Sequence, residues 1–174
     1  METRFKKINP KDVFITSLSK EEQKYSVQTN SKGEIIRNRP SGNEVMDLLA
    51  ELINRYGMRT TRFYEKQMGL AQRTLNGFVV SYSDMDLKTW KNKYIMLRAK
   101  ELLLETRYSI DEVGKRLGFS GIKSFSAWFI RTEKEYPSYW RIIEKSRKQR
   151  KEAELFKEWR KNYCPTNTGS KHLD

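Results

Sequence analysis

The side chains that usually carry out chemistry are scarce in this sequence. There is one cysteine, Cys164, and one histidine, His172. A single cysteine cannot close a disulfide within the chain, and the two residues cannot assemble a Cys/His zinc set. Structural zinc, a histidine-dependent triad and a cysteine nucleophile are therefore excluded. Carboxylates remain the one conventional catalytic option, but the acidic residues fall mainly on solvent-facing helix positions, with no clustered pair that could hold a metal. Neither a cofactor nor an enzymatic activity is expected. What the chain has in quantity is cations. Its 35 Lys and Arg against 22 Asp and Glu leave a formal net charge of +13. The excess is +4 over residues 1–42, +3 over 43–108 and +6 over 109–174, so no block is acidic. Such a chain suits a polyanion, because each Lys or Arg placed on a phosphate releases condensed counterions. Charge alone leaves DNA, RNA, an anionic membrane and a merely solubilising basic surface all open.

The 174 residues bound the answer at one domain or two small ones. Four Trp, eight Phe and nine Tyr are too many for a wholly disordered polymer. The longest apolar stretches, such as Ile95 to Leu97 and Leu102 to Leu104, fall far short of the roughly 20 residues that cross a bilayer. No membrane association is expected. Nor does an apolar run follow the charged N-terminus, as it would in a secretory signal, so a cytoplasmic, nucleoid-associated location is expected.

The charges and polar groups must be held by the elements around them. Residues 1–42 read as a basic N-terminal arm or a small hairpin over Lys24 to Arg37, turning at Ser31, Lys32 and Gly33. From Asn43, a cap, Val45, Leu48, Leu49 and Leu52 follow helical spacing until Gly57. A short helix runs from the cap Thr60 to Met68, closed by Gly69. A third follows at once, with Leu75, Phe78, Val79 and Tyr82 on its buried face and Gln72, Arg73, Asn76, Gly77 and Val80 pointing elsewhere. Asp86 caps a longer helix reaching about Glu105, striped by Leu87, Trp90, Tyr94 and Leu97. Ser109 and Glu112 then form a capping box, in which hydroxyl and carboxylate each satisfy a free backbone N–H. Ile110, Val113 and Leu117 are buried behind it and Gly118 ends the helix. After Ser120, a possible cap, Ile122, Phe125, Trp128 and Phe129 sit at core spacing. Pro137 opens a last helix through the basic segment Lys145 to Lys161, with i,i+4 pairing such as Glu144 to Lys148. Pro165 to Asp174 read as a disordered tail.

Short helix, Gly turn, helix is the helix-turn-helix outline, and it occurs twice, with second helices starting at about Gln72 and Gly121. The second helix of such a unit enters the major groove while neighbouring elements hold phosphates. A connecting helix of about 19 residues is roughly 28 Å long. One turn of DNA is about 34 to 36 Å. Two units packed at its ends would place both reading helices in successive major-groove segments, so one chain would do what a dimer does elsewhere. A plain helical bundle would carry the same pattern. The fold class expected is all-α: two helix-turn-helix subdomains, 43–85 and 107–144, joined by a linker helix, 86–106, with a basic helical extension and tail over 145–174.

The stretch RAKELLLETRYSIDEVGKRLGFSGIKSFSAWFIRTEKEYPSYWR, Arg98 to Arg141, resembles the C-terminal DNA-binding region of the AraC/XylS transcription regulators. RAKELL, the SI-x-E-V start, the LGF-S turn, F-S-x-x-F and P-x-x-Y/W-R match without a gap. With the less faithful first unit, the resemblance covers about Asn43 to Arg141. It implies an AraC-like regulator of promoter DNA with two helix-turn-helix subdomains.

Carried over by place in that pattern, the resemblance implies that the first reading helix presents Gln72, Arg73, Asn76 and Gly77. The second presents Ile122, Lys123, Ser126 and Ala127, with Arg131 following. Asn76 stands out as a polar residue on an exposed helix face, where its amide could pair with adenine. Arg73 and Lys123 could equally be ordinary solvated charges, whereas Phe125, Phe129, Trp90 and Trp128 read as core rather than as stacking platforms. Several positions depart from the family. Gly77 and Ala127 stand where long residues, often Arg, are usual. Thr61 and Glu65 replace an apolar residue and a small Ala. Gly114 replaces Ala, at a cost of about 1 kcal/mol within a helix. The family's glycine near the end of the reading helix is absent, with Glu133, Lys134 and Glu135 in its place. The resulting expectation is a standalone, sequence-specific double-stranded DNA-binding regulator, monomeric on its promoter and with RNA polymerase as a candidate partner. The alternative is a degenerate module acting through protein–protein interaction with weak or nonspecific DNA binding.

Overall fold

The computed structural model describes residues 7–15, 41–71 and 73–163, and all regular structure among them is α-helical. The proposed hairpin, Gln72, Cys164, His172 and the tail lie outside the described residues. Seven helices follow in order: α1 Glu44–Tyr56, α2 Thr61–Gln67, α3 Thr74–Ser83, α4 Leu87–Glu105, α5 Ile110–Arg116, α6 Ile122–Glu133 and α7 Pro137–Tyr163. The chain divides into two units, Met1–Pro137 and Ser138–Asp174. Both helix pairs and the connecting helix belong to the first.

The helix starts follow local chemistry. Asn43, Thr60, Asp86 and Ser109 each accept from a backbone N–H in the first turn of α1, α2, α4 and α5. The capping box is complete: Ser109 Oγ accepts from Glu112 N–H, and Glu112 Oε2 accepts from Ser109 N–H at 2.7 Å. One cap differs from expectation. Ser120 does not cap α6; its hydroxyl donates to Ser124 Oγ, and Gly121 holds the cap position without a side-chain bond.

Helix α4 is the spine. Leu87, Trp90, Tyr94, Ile95, Ala99 and Leu103 are fully buried, and Trp90 stacks on Tyr94 at 5.7 Å between ring centroids. Each large aliphatic side chain among them contributes about 1.5 to 3 kcal/mol by leaving water. Two of its cations are buried as well. Lys91 donates to the carbonyl of Arg59, and the Arg98 guanidinium reaches the carbonyls of Ile53 and Asn54 at the end of α1. Burial lowers the pKa of both.

The arm contributes more than sequence reasoning foresaw. Residues 7–15 strap across α3 and α4: Ile8 N–H donates to Tyr82 O at 2.7 Å, Trp90 Nε1 donates to Ile8 O at 3.2 Å, and Ile15 N–H donates to the Tyr94 hydroxyl at 3.1 Å. Ile8 and Val13 are buried, and Lys7 pairs with Asp84 at 2.7 Å. The apolar residues here, Ile8, Pro10, Val13, Phe14 and Ile15, lack the periodicity that would announce a packed segment.

Candidate nucleic-acid interface

In each helix pair, a seven-residue helix supports a longer one. The supporting helices are in register at 49 positions, with Gly69 and Gly118 both at positive φ after the last turn. The longer helices are in register at 50: Leu75 and Phe125 are buried, as are Val79 and Phe129, and both helices end on a left-handed residue, Asp84 and Lys134. The second pair therefore has one residue more between Gly118 and Phe125 than the first has between Gly69 and Leu75. Lys134 (φ 61°) occupies the left-handed corner where the family's glycine would be expected.

The buried face of α3 differs from expectation. Leu75, Val79 and Ser83 form it, with the Ser83 hydroxyl satisfied by Val79 O at 2.6 Å, while Phe78 is 38% exposed. Its apolar residues are spread around the helix, with Phe78 and Val80 exposed, so the buried stripe is narrower than the sequence periodicity suggested. The helix also begins later, at Thr74, because Arg73 (φ 74°) turns the chain left-handed just before it.

Among the candidate contact residues, Arg73, Gly77, Lys123, Ala127 and Arg131 are exposed and Ser126 is half-buried. Ile122 is 48% exposed, so it belongs to the outer face of α6 and not to its core, which is Phe125, Trp128 and Phe129. Asn76 is the main correction. It is half-buried, and its Oδ1 accepts from Leu87 N–H at 2.9 Å, tying α3 to the first turn of α4. A bidentate pair with adenine needs that oxygen as well as the amide N–H. Gly77 faces open space, with nothing within 4 Å of where a Cβ would lie.

Two carboxylates that the sequence reading did not single out as site residues fix the starts of these helices. Glu65, on α2, accepts from Arg73 N–H at 3.2 Å. Asp111, on α5, accepts from Ile122 N–H through Oδ1 at 3.0 Å and pairs with Lys115 through Oδ2 at 2.7 Å. The Lys115 ammonium and the Ile122 N–H hold the Asp111 carboxyl below the usual carboxylate range. Another family departure, Gly114, also has a structural reason. A Cβ on Gly114 would lie 2.9 Å from the Cβ of Phe125, so the absent methyl lets α6 pack against α5.

The turn of the second pair also packs directly against the chain between α1 and α2. Met58 N–H donates to Leu117 O at 2.7 Å, and Gly57 and Gly118 touch backbone to backbone beside that bond. The outer faces of α3 and α6 thus belong to one packed body, presenting Arg73 at one helix start and Ile122 and Lys123 at the other.

A family described as a helix-turn-helix domain matches residues 64–142. Residues 64–142 form a helix-turn-helix domain of the AraC/XylS type. The DNA-binding domain of AdpA, a global transcriptional factor solved in complex with a target DNA, has a similar fold at 20% identity and a TM-score of 0.53, over 61% of this chain and 96% of that one. The xylose-binding transcription activator XylR is similar at 16% identity and a TM-score of 0.51, over 63% of this chain but 30% of XylR. No curated protein matches the sequence. Among the described residues, no helix is long and apolar enough to cross a membrane, and no group of side chains could hold a metal ion.

Proposed function

We propose that the chain is a sequence-specific double-stranded DNA-binding transcription regulator, reading two successive major-groove segments with α3 and α6. The observation that carries this reading is the pair of exposed helix faces, each at the second helix of a helix-turn-helix, held in one body by α4 and the Gly57–Gly118 contact. The AraC/XylS type of the domain and the DNA complex of the AdpA domain support it. Residues 43–85 and 107–144 are then the two reading subdomains and 86–106 the connection. Arg73, Lys123, Ser126 and Arg131 supply polar contacts to bases or phosphates, and Gly77 and Ala127 leave room for close approach. Asn76 keeps its amide N–H for a single contact. The partner is promoter DNA, bound by one chain, with RNA polymerase as the further candidate. A regulator of this kind works in the compartment that holds the DNA.

Selection of bound sequences from a random duplex pool tests the proposal. Two enriched half-sites about one turn apart are expected. A pool that emerges without enrichment overturns the reading.

A second reading, interaction with another protein, is favoured by α7. Leu155, Phe156 and Trp159 are 65%, 60% and 50% exposed along this helix, and Phe156 stacks on Trp159 at 5.9 Å between centroids. Arg73→Ala and Lys123→Ala separate the two readings, because they weaken sequence-specific DNA binding only in the first.

A further inference from the structure

The two carboxylates at the starts of the reading helices occupy positions that do not correspond. By the register of the supporting helices, Glu65 matches Gly114, and Asp111 matches Arg62. The second pair cannot use the position of Glu65, because a side chain at Gly114 would collide with Phe125. The first cannot use that of Asp111, because a cation stands there. Each pair nevertheless sends a carboxylate oxygen from its supporting helix to a backbone N–H at the start of its reading helix. The same bond is reached by two different routes. Packing needs alone do not account for Glu65, which is 8% exposed at a position where a small apolar residue would fill the space without desolvating a charge.

The free N–H groups at the start of a helix carry a partial positive charge and attract phosphate. A carboxylate bound there has two effects. It fixes the end of the helix that enters the groove, and it repels a phosphate that would otherwise settle on the same N–H groups in a sequence-independent way. We propose that Glu65 and Asp111 are positioning residues for base reading, latching the start of each reading helix and closing it to phosphate, so that the helix binds through its exposed side chains. This inference rests on the DNA-reading function proposed above. It assigns to each pair one residue that touches no base yet sets specificity.

The test uses the full chain, the duplex recovered by selection and a scrambled duplex of equal length, with thermal melting alongside. Glu65→Ala and Asp111→Ala are each expected to lower the ratio of specific to scrambled affinity about tenfold, the scale of one base contact. Binding to the scrambled duplex should stay level or rise, since a negative charge has been removed. Glu65→Gln and Asp111→Asn keep an acceptor oxygen and should retain most of the ratio. Lys115→Ala, which breaks the ion pair but leaves the Asp111 to Ile122 bond, should leave it unchanged. An unchanged ratio in both alanine variants overturns the proposal. So does a parallel fall of both affinities in step with the melting temperature, which would mark a purely structural role. A wild-type chain with no preference among duplexes removes the DNA-reading function itself, a distinct result from either.

Discussion

Gly57 and Gly118 meet with no side chain between them. A Cβ on Gly57 would lie 2.3 Å from the carbonyl oxygen of Leu117, and a Cβ on Gly118 would lie 2.8 Å from the nitrogen of Met58. Both residues have positive φ, 67° and 82°. The Tyr64 hydroxyl, its pKa raised by burial, donates to the carbonyl of Gly57 from the neighbouring helix. The end of α1 is thereby seated against the turn between α5 and α6.

This contact predicts a coupled cost. Gly57→Ala and Gly118→Ala should each destabilise the protein by about 2 to 4 kcal/mol, combining left-handed strain with steric overlap. The double variant should cost less than the sum, because the seam opens once. Urea denaturation of the three variants measures the coupling, and strict additivity would refute a shared seam.

Gly114→Ala separates helix propensity from packing. Propensity alone predicts a gain of about 1 kcal/mol. The close approach of Phe125 predicts a loss of about 1 to 3 kcal/mol instead, since the added methyl overfills the junction of α5 and α6. Thermal melting decides by sign, and Phe125→Leu combined with Gly114→Ala should recover part of the loss.

Lys134→Gly should act in the opposite direction. The left-handed corner after α6 costs a lysine about 1 kcal/mol that glycine avoids, so the variant is expected to gain about 0.5 to 1 kcal/mol. A lower melting temperature would count against it.

Acid should weaken α5 through its capping box. The Ser109 backbone N–H, and then its hydroxyl, hold the Glu112 carboxyl below its ordinary value of 4.5. A carboxylate with a depressed folded pKa contributes in full above the unfolded value, and the contribution fades as pH falls through the folded one. The melting temperature should therefore decline below about pH 4.5, and Glu112→Gln should flatten that part of the profile. Ser109→Ala should cost about 1 kcal/mol at neutral pH. An acid profile identical in Glu112→Gln would contradict the assignment.

The charges that matter for DNA are fewer than the total suggests. Lys91 and Arg98 are consumed inside the fold by backbone carbonyls. Lys91→Met and Arg98→Met should lower stability by about 1 to 3 kcal/mol and leave the salt slope of DNA binding unchanged. Lys123→Ala should instead reduce the magnitude of that slope by about 1. Affinities measured between low and moderate salt distinguish the two groups.

Much of the fold is written locally. Asn43, Thr60, Asp86 and Ser109 cap their helices because a cap needs only a side-chain oxygen and an N–H two or three residues ahead. The stripe of Leu87, Trp90 and Tyr94 follows the helical period, and the repeated outline with its joining helix follows from these two signals together. The motifs of Arg98 to Arg141 identified the family for the same reason, since they lie contiguously in the chain. Contacts between distant positions were settled only by the tertiary structure. The partner of Glu65 is eight residues away and that of Asp111 eleven, while Trp90 reaches back to Ile8. No period in the sequence encodes such meetings. The side chain of Asn76, the most promising base reader by type and place, turned inward because the N–H of Leu87 at the start of α4 needed an acceptor. Residue types determined which helices form and where they begin. Packing decided which polar groups those helices keep for themselves and which they leave on the outside.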